Sequence, residues 1–159
     1  MRILFVCMGN ICRSPTAEGV MRRLIGDAGL EGIEVESAGT GGWHAGEPPD
    51  ERATAAAARR GVTLEGAARQ VKPADFRRFD LLIALDRANL RELLALAPDE
   101  DAAEKVRLLR EFDPASASSG DLDVPDPYYG GDRGFETVLD MVEAACRGLI
   151  DELRAADRV

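Results

Sequence analysis

The sequence predicts an α/β fold, a three-layer sandwich in which a four-stranded parallel twisted sheet lies between helices on both faces. Three observations carry this. Four short apolar runs are separated by segments of helical periodicity, an alternation that places parallel strands between helical layers. The first run, "RILFV", is apolar throughout, as a strand buried on both faces must be. No repeat or linker interrupts the 159 residues, so residues 1–159 read as a single domain, long enough to bury a full core.

The elements follow in order. After "RILFV", Ser14 is placed to cap a helix and Pro15 suits its first position. Ala17, Val20, Met21, Leu24, Ile25 and Ala28 recur at helical spacing, and Gly29 is the stop. "IEVESAG" is the second strand. A Gly- and Pro-rich loop, "GTGGWHAGEPP", leads to the helix "DERATAAAARR", closed by Gly61. "FDLLIALD" is the third strand and "RANLRELLALA" a helix ended by Pro98; "KVRLL" is the fourth strand. A long irregular loop, "DPASASSGDLDVPDPYYGGDRG", precedes a last helix over 134–155 that buries Val138, Met141, Val142, Ala145, Leu149 and Leu153.

Composition narrows the function. Apolar residues at 45% and charged residues at 31% argue against disorder. A net charge of -9 argues against nucleic acid as a partner, since that needs a basic surface. Any anionic ligand must therefore be met by a local positive field. Three cysteines cannot complete a disulfide framework and read as reduced thiols of a cytoplasmic protein. The short apolar start does not fit a signal segment, no run approaches the roughly 18 apolar residues of a membrane span, and a monomer is the default.

In such sheets ligands sit beyond the carboxyl ends of the strands, which draws attention to "VCMGNICRSP" after the first strand. It contains neither G-x-G-x-x-G nor G-x-x-x-x-G-K, so neither nucleotide loop applies. Cys7, Cys12 and the lone His44 are too few to hold zinc, and no cofactor or metal is expected. What remains is Cys7, five residues, then Arg13, between a strand and a helix start. A free thiol has a pKa of about 8.5, and a helix N-terminus, amide donors and a fixed guanidinium all favour its thiolate. The same donors hold a phosphate dianion, and Arg13 offers two parallel hydrogen bonds to it. Gly9 lets the backbone approach closely. The turn reads as a phosphate cradle, Met8, Gly9, Asn10, Ile11, Cys12 and Ser14, with Cys7 as its built-in nucleophile.

A leaving oxygen needs a proton, and "DLDVPDPYYGG" holds the candidate acids. Asp126 stands between Pro125 and Pro127, which restrict the backbone around it. A stiff surface turn explains that segment equally well. Trp43, Tyr128 and Tyr129 are either loop anchors or the walls of a slot for a flat phosphorylated ring. His44 reads as a solvated loop residue, Asp86 as a helix cap and Cys146 as core.

"VCMGNICRSP" closely resembles the active-site loop of the low-molecular-weight protein tyrosine phosphatases. The likeness continues through "SAGTGGWHAGEPPDERA", "FDLLIALDRANL" and "VPDPYYGG", covering nearly the whole chain in order. The resemblance implies a flavodoxin-like sheet (phosphotyrosine phosphatase I-like), no metal, a phosphocysteine intermediate on Cys7 and a tyrosine-phosphorylated protein as substrate. It also implies that Asp126 is the general acid, that Asn10 and Ser37 hold the loop, and that Asp86, read above as a helix cap, lies near the pocket. By the same resemblance, the Ser14 hydroxyl stabilises the Cys7 thiolate and Cys12 captures oxidised Cys7. Where relatives often carry a histidine bonded to the asparagine, this chain has Gly66, so that link is absent or rebuilt with water. Ile11 favours the tyrosine branch over related phosphoarginine phosphatases, which carry threonine there. Arsenate reduction on the same scaffold needs a cysteine relay that Cys146 is badly placed to supply. A non-catalytic phosphotyrosine-binding module would not need nucleophile, arginine and acid together.

Overall fold

The computed structural model describes residues 1–128 and 131–159. Strands β1 (Arg2–Cys7), β2 (Glu34–Gly39), β3 (Leu81–Ala84) and β4 (Val106–Leu108) form one sheet in the order β2-β1-β3-β4. All three pairings are parallel. Side chains alternate across β1 because a strand has period two. Ile3, Phe5 and Cys7 join a core with α1 (Arg13–Ala28), α2 (Glu51–Ala58) and α7 (Asp132–Ala155). Leu4 and Val6 join a second core with Phe76 of α3 (Asp75–Arg78), Leu93 of α4 (Arg87–Leu96) and Ala102 of α5 (Glu100–Glu104). The three expected layers are therefore present, and the continuous apolar run is explained by burial on both faces.

The structure departs from expectation at local elements. Helix α1 starts at Arg13, with Cys12 in the cap position and no side-chain cap bond. Ser14 is not its cap, because its hydroxyl is engaged by the Cys7 sulfur. Gly29 does end the helix, in the left-handed conformation at φ 65°, although Ala28 is exposed. The fourth strand stops at Leu108 and a 3₁₀ turn (Leu109–Phe112) follows it, while the loop expected to be irregular from Asp113 contains α6 (Pro114–Ser119), capped by Asp113. Short helices such as α3, α5 and α6 span too few residues to show a helical period. Helix α7 packs tightly on the 3₁₀ turn: a Cβ on Gly148 would lie 1.8 Å from the Phe112 carbonyl oxygen.

Candidate active site

The turn between β1 and α1 is held open from outside. The carbonyl of Cys7 accepts the Thr40 N–H (2.9 Å), that of Met8 the Gly41 N–H (3.0 Å) and that of Ile11 the Asp50 N–H (2.8 Å). The Cys12 carbonyl accepts both the N–H and the hydroxyl of Thr16. With its carbonyls turned toward the scaffold, the loop leaves the N–H groups of Met8 to Cys12 without an acceptor among the described residues. Such a concave run of amides at a helix N-terminus is an anion site. Gly39 permits the close approach, since a Cβ there would lie 2.6 Å from the Met8 carbonyl oxygen.

Asn10 braces the curve in the left-handed region, at φ 58°. Its Nδ2 donates to the hydroxyls of Ser14 (2.8 Å) and Ser37 (3.0 Å), and its Oδ1 accepts the Arg69 N–H (3.0 Å). The Arg69 backbone thus takes up the asparagine carbonyl in a chain with Gly66 in place of the relatives' histidine. Because Asn10 donates to the Ser14 oxygen, the Ser14 proton is free for the Cys7 sulfur, 3.0 Å away, or the Ala38 carbonyl at 3.4 Å. Glu18, one turn after Ser14 on α1, is buried behind Ser37. Burial raises its pKa, against the stabilising effects of Ser37 and Arg22.

Arg13 is 2% exposed and doubly anchored. Its Nη1 donates to Asp86 Oδ2 at 2.6 Å and to the Val124 carbonyl at 3.0 Å. Burial works against its charge, but Cys7, Asp86 and Asp126 outweigh that and hold it more firmly protonated. Asp86 does cap α4, through Oδ1 to the Asn89 N–H (2.7 Å), yet it also aims the buried guanidinium. Sequence reading favours the cap and has Asp86 near the pocket only by resemblance, because the 73-residue separation from Arg13 leaves no local trace of the bond. Asp126 Oδ2 stands 3.8 Å from Arg13 Nη2, while Oδ1 accepts the Tyr128 N–H at 3.0 Å.

A pocket of about 450 Å³ opens over the loop. Cys7, Met8, Gly9, Ile11, Cys12 and Arg13 form its floor, and Trp43, His44, Asp126 and Tyr128 its walls. Trp43 is 72% exposed and its ring lies against Gly41, where a Cβ would fall 1.7 Å from it. His44 is more than a solvated loop residue: it is half-buried, faces Gly9 and meets Glu47 at 2.6 Å. Asn10 and Ser37 lie behind the floor, lining a smaller cavity of about 200 Å³. Tyr129 lies outside the described residues. Burial, with Asp50 and Cys7 nearby, pushes the Cys12 thiol up to about 12. Cys146 is wholly buried in α7, and burial raises its pKa further.

A strand-end thiol in an amide cradle, faced by a buried arginine and a carboxylate, defines a cysteine-dependent phosphomonoester hydrolase. The family model described as low molecular weight phosphotyrosine protein phosphatase matches residues 2–159, and the chain belongs to that family. A low molecular weight protein-tyrosine-phosphatase of Streptomyces coelicolor is 58% identical over 154 residues, covering 96% of this chain and 93% of the relative. The low molecular weight phosphotyrosine protein phosphatase of Homo sapiens is 40% identical, covering 94% of each chain. Among solved structures, a protein tyrosine phosphatase of Entamoeba histolytica superposes with a TM-score of 0.93 at 40% identity, covering 99% of both chains.

Proposed function

We propose that this protein-tyrosine phosphatase cleaves phosphotyrosine with Cys7 as nucleophile, Arg13 and the loop amides as phosphate holders, and Asp126 as proton donor. The observation that carries the reading is the amide cradle on the pocket floor with Cys7 and the buried Arg13, and Asp126 in the wall above them. The Cys7 sulfur attacks phosphorus as the bond to the leaving oxygen breaks, and Asp126 protonates that oxygen. Asp126, now a carboxylate, takes a proton from the water that hydrolyses phosphocysteine. Charge spread over the equatorial oxygens is met by Arg13 and the amides. The Ser14 hydroxyl donates to the sulfur when it carries charge, which makes it a better leaving group in the second step.

The substrate is a phosphoprotein whose phosphotyrosine ring enters between Trp43 and Tyr128, a depth that a phosphoserine cannot span. We place the enzyme in the cytoplasm as a monomeric single domain that engages neither nucleic acid nor membrane. Among the described residues no helix is long and apolar enough to cross a membrane. Cys12 serves as redox partner: it attacks the sulfenic acid of oxidised Cys7, forming a disulfide and releasing water.

The test is hydrolysis of p-nitrophenyl phosphate in the presence of chelator, with Cys7→Ser alongside. Turnover by the wild type and none by the variant supports the assignment. Near-wild-type activity of Cys7→Ser would refute it.

A further inference from the structure

We infer that Arg52 is a positioning residue that couples the orientation of Asp126 to the phosphate cradle, an inference that rests on the reading of Asp126 as the acid. A continuous chain of hydrogen bonds runs between the two. The Ile11 carbonyl in the cradle accepts the Asp50 N–H at 2.8 Å. The Asp50 carboxylate accepts from Arg52 Nε and Nη2, each at 3.3 Å. Arg52 Nη2 also donates to the Tyr128 carbonyl at 3.0 Å, and the Tyr128 N–H donates to Asp126 Oδ1 at 3.0 Å.

The last link follows from the sequence. Proline at 127 has no N–H, so the first backbone donor after Asp126 is that of Tyr128. The two prolines restrict the Asp126 backbone but leave its side chain free to rotate. The Tyr128 amide removes that freedom by engaging Oδ1, leaving Oδ2 toward Arg13 and the pocket as the oxygen that carries the proton. Tyr128 must itself be fixed, and Arg52 does so twice. Its guanidinium bonds the carbonyl and lies 5.4 Å from the Tyr128 ring centroid and 4.9 Å from that of Phe135 on α7. The guanidinium lies against both rings by cation–π contact while its planar fork serves two acceptors at once; lysine keeps the charge but not the fork.

The other end of the chain is equally firm. Asp50 caps α2, accepting the Arg52 and Ala53 amides. Burial alone raises its pKa, but its bonds to Arg52 and to these amides more than offset that and lower it. The pair therefore stays ionised through the neutral range. Arg52 lines neither the floor nor the walls of the pocket and reaches Asp126 through Tyr128.

The experiment compares kcat/KM for phenyl phosphate, whose leaving group needs a proton, with 2,4-dinitrophenyl phosphate, whose leaving group does not. Arg52→Ala is expected to lower the first about tenfold, a part of the roughly 10²–10⁴ that a general acid contributes, and the second less than about twofold. Arg52→Lys is expected to recover part of the loss. Inhibition by inorganic phosphate should be unchanged in both variants, showing the cradle intact and the protein folded. An equal fall for both substrates, or no fall for either, overturns the inference. Asp126→Ala is the reference: if it discriminates between the substrates and Arg52→Ala does not, only the inference falls. If Asp126→Ala does not discriminate, the assignment of the acid falls and the inference falls with it.

Discussion

Removing the Asp86 carboxylate tests how the buried guanidinium is held. In Asp86→Ala, Arg13 keeps the Val124 carbonyl and a 3.8 Å contact to Asp126, but loses its 2.6 Å partner inside a site where it is 2% exposed. Breaking a buried ion pair from one side costs about 3–5 kcal/mol. Because the Asp86 side chain is 20% exposed, the lower end applies, about 3 kcal/mol. The Asn89 N–H also loses its cap, worth about 1 kcal/mol. A loss of about 4 kcal/mol is a large part of an ordinary domain's stability of roughly 5–15 kcal/mol. With a urea slope of about 2 kcal/mol/M it moves the midpoint by about 2 M. Two controls divide the loss. Asp86→Ser keeps a capping oxygen and should cost only the ion-pair part. In an Arg13→Met background the buried charge is gone, and Asp86→Ala should cost only the cap. Urea titrations of wild type, Asp86→Ala, Arg13→Met and the double variant measure this cycle, with Asp86→Ser titrated alongside. If Asp86→Ala costs the same with and without Arg13, the account of Asp86 as the anchor of a buried charge is wrong.

Gly148→Ala should be destabilising by about 3 kcal/mol, because the new methyl meets the Phe112 backbone rather than a movable side chain. Calorimetry should show Tm lower by about 10 °C, and a change under about 2 °C would contradict the close approach. Asp50→Ala should cost about 1 kcal/mol at neutral pH through the α2 cap. Since the folded protein lowers the Asp50 pKa, that contribution is full above the unfolded value of about 3.9 and is lost as pH falls through the lower folded value. Stability curves of wild type and variant should therefore converge in acid and stay apart at pH 7. With Cys12 buried, which by itself pushes its thiol up, and Cys146 wholly buried, the Cys7→Ser protein should resist iodoacetamide at pH 8; rapid labelling, read by mass spectrometry, would contradict that burial. Peroxide should inactivate the wild type reversibly by thiol and Cys12→Ser more permanently, and equal recovery would remove Cys12 as the redox partner.

The sheet and the cradle were legible in the sequence because both are local patterns. The apolar run, the glycine and the Cys7-to-Arg13 spacing lie within a dozen residues, and the helix that follows announces itself by period. The bracing was not legible. Asp86 on Arg13, the Arg69 amide on Asn10 and Arg52 on Tyr128 join residues 59 to 76 positions apart. Each residue also has an adequate local explanation, as cap, turn or surface charge. Ser14 shows the reverse error. Its local pattern predicts a cap, and the structure instead spends its hydroxyl on Cys7. Trp43 was ambiguous in sequence, since a lone indole in a glycine-rich loop fits an anchor as well as a wall; in the structure it lines the pocket and is mostly exposed.

Under the proposed function, the anion is held by main-chain amides and Arg13. Met8 and Ile11 consequently present side chains to the pocket that carry no part of the oxyanion grip. A substitution at either position would change the lining of the pocket without replacing Cys7, Arg13 or Asp126. One scaffold can thereby diversify its clientele without rebuilding its chemistry.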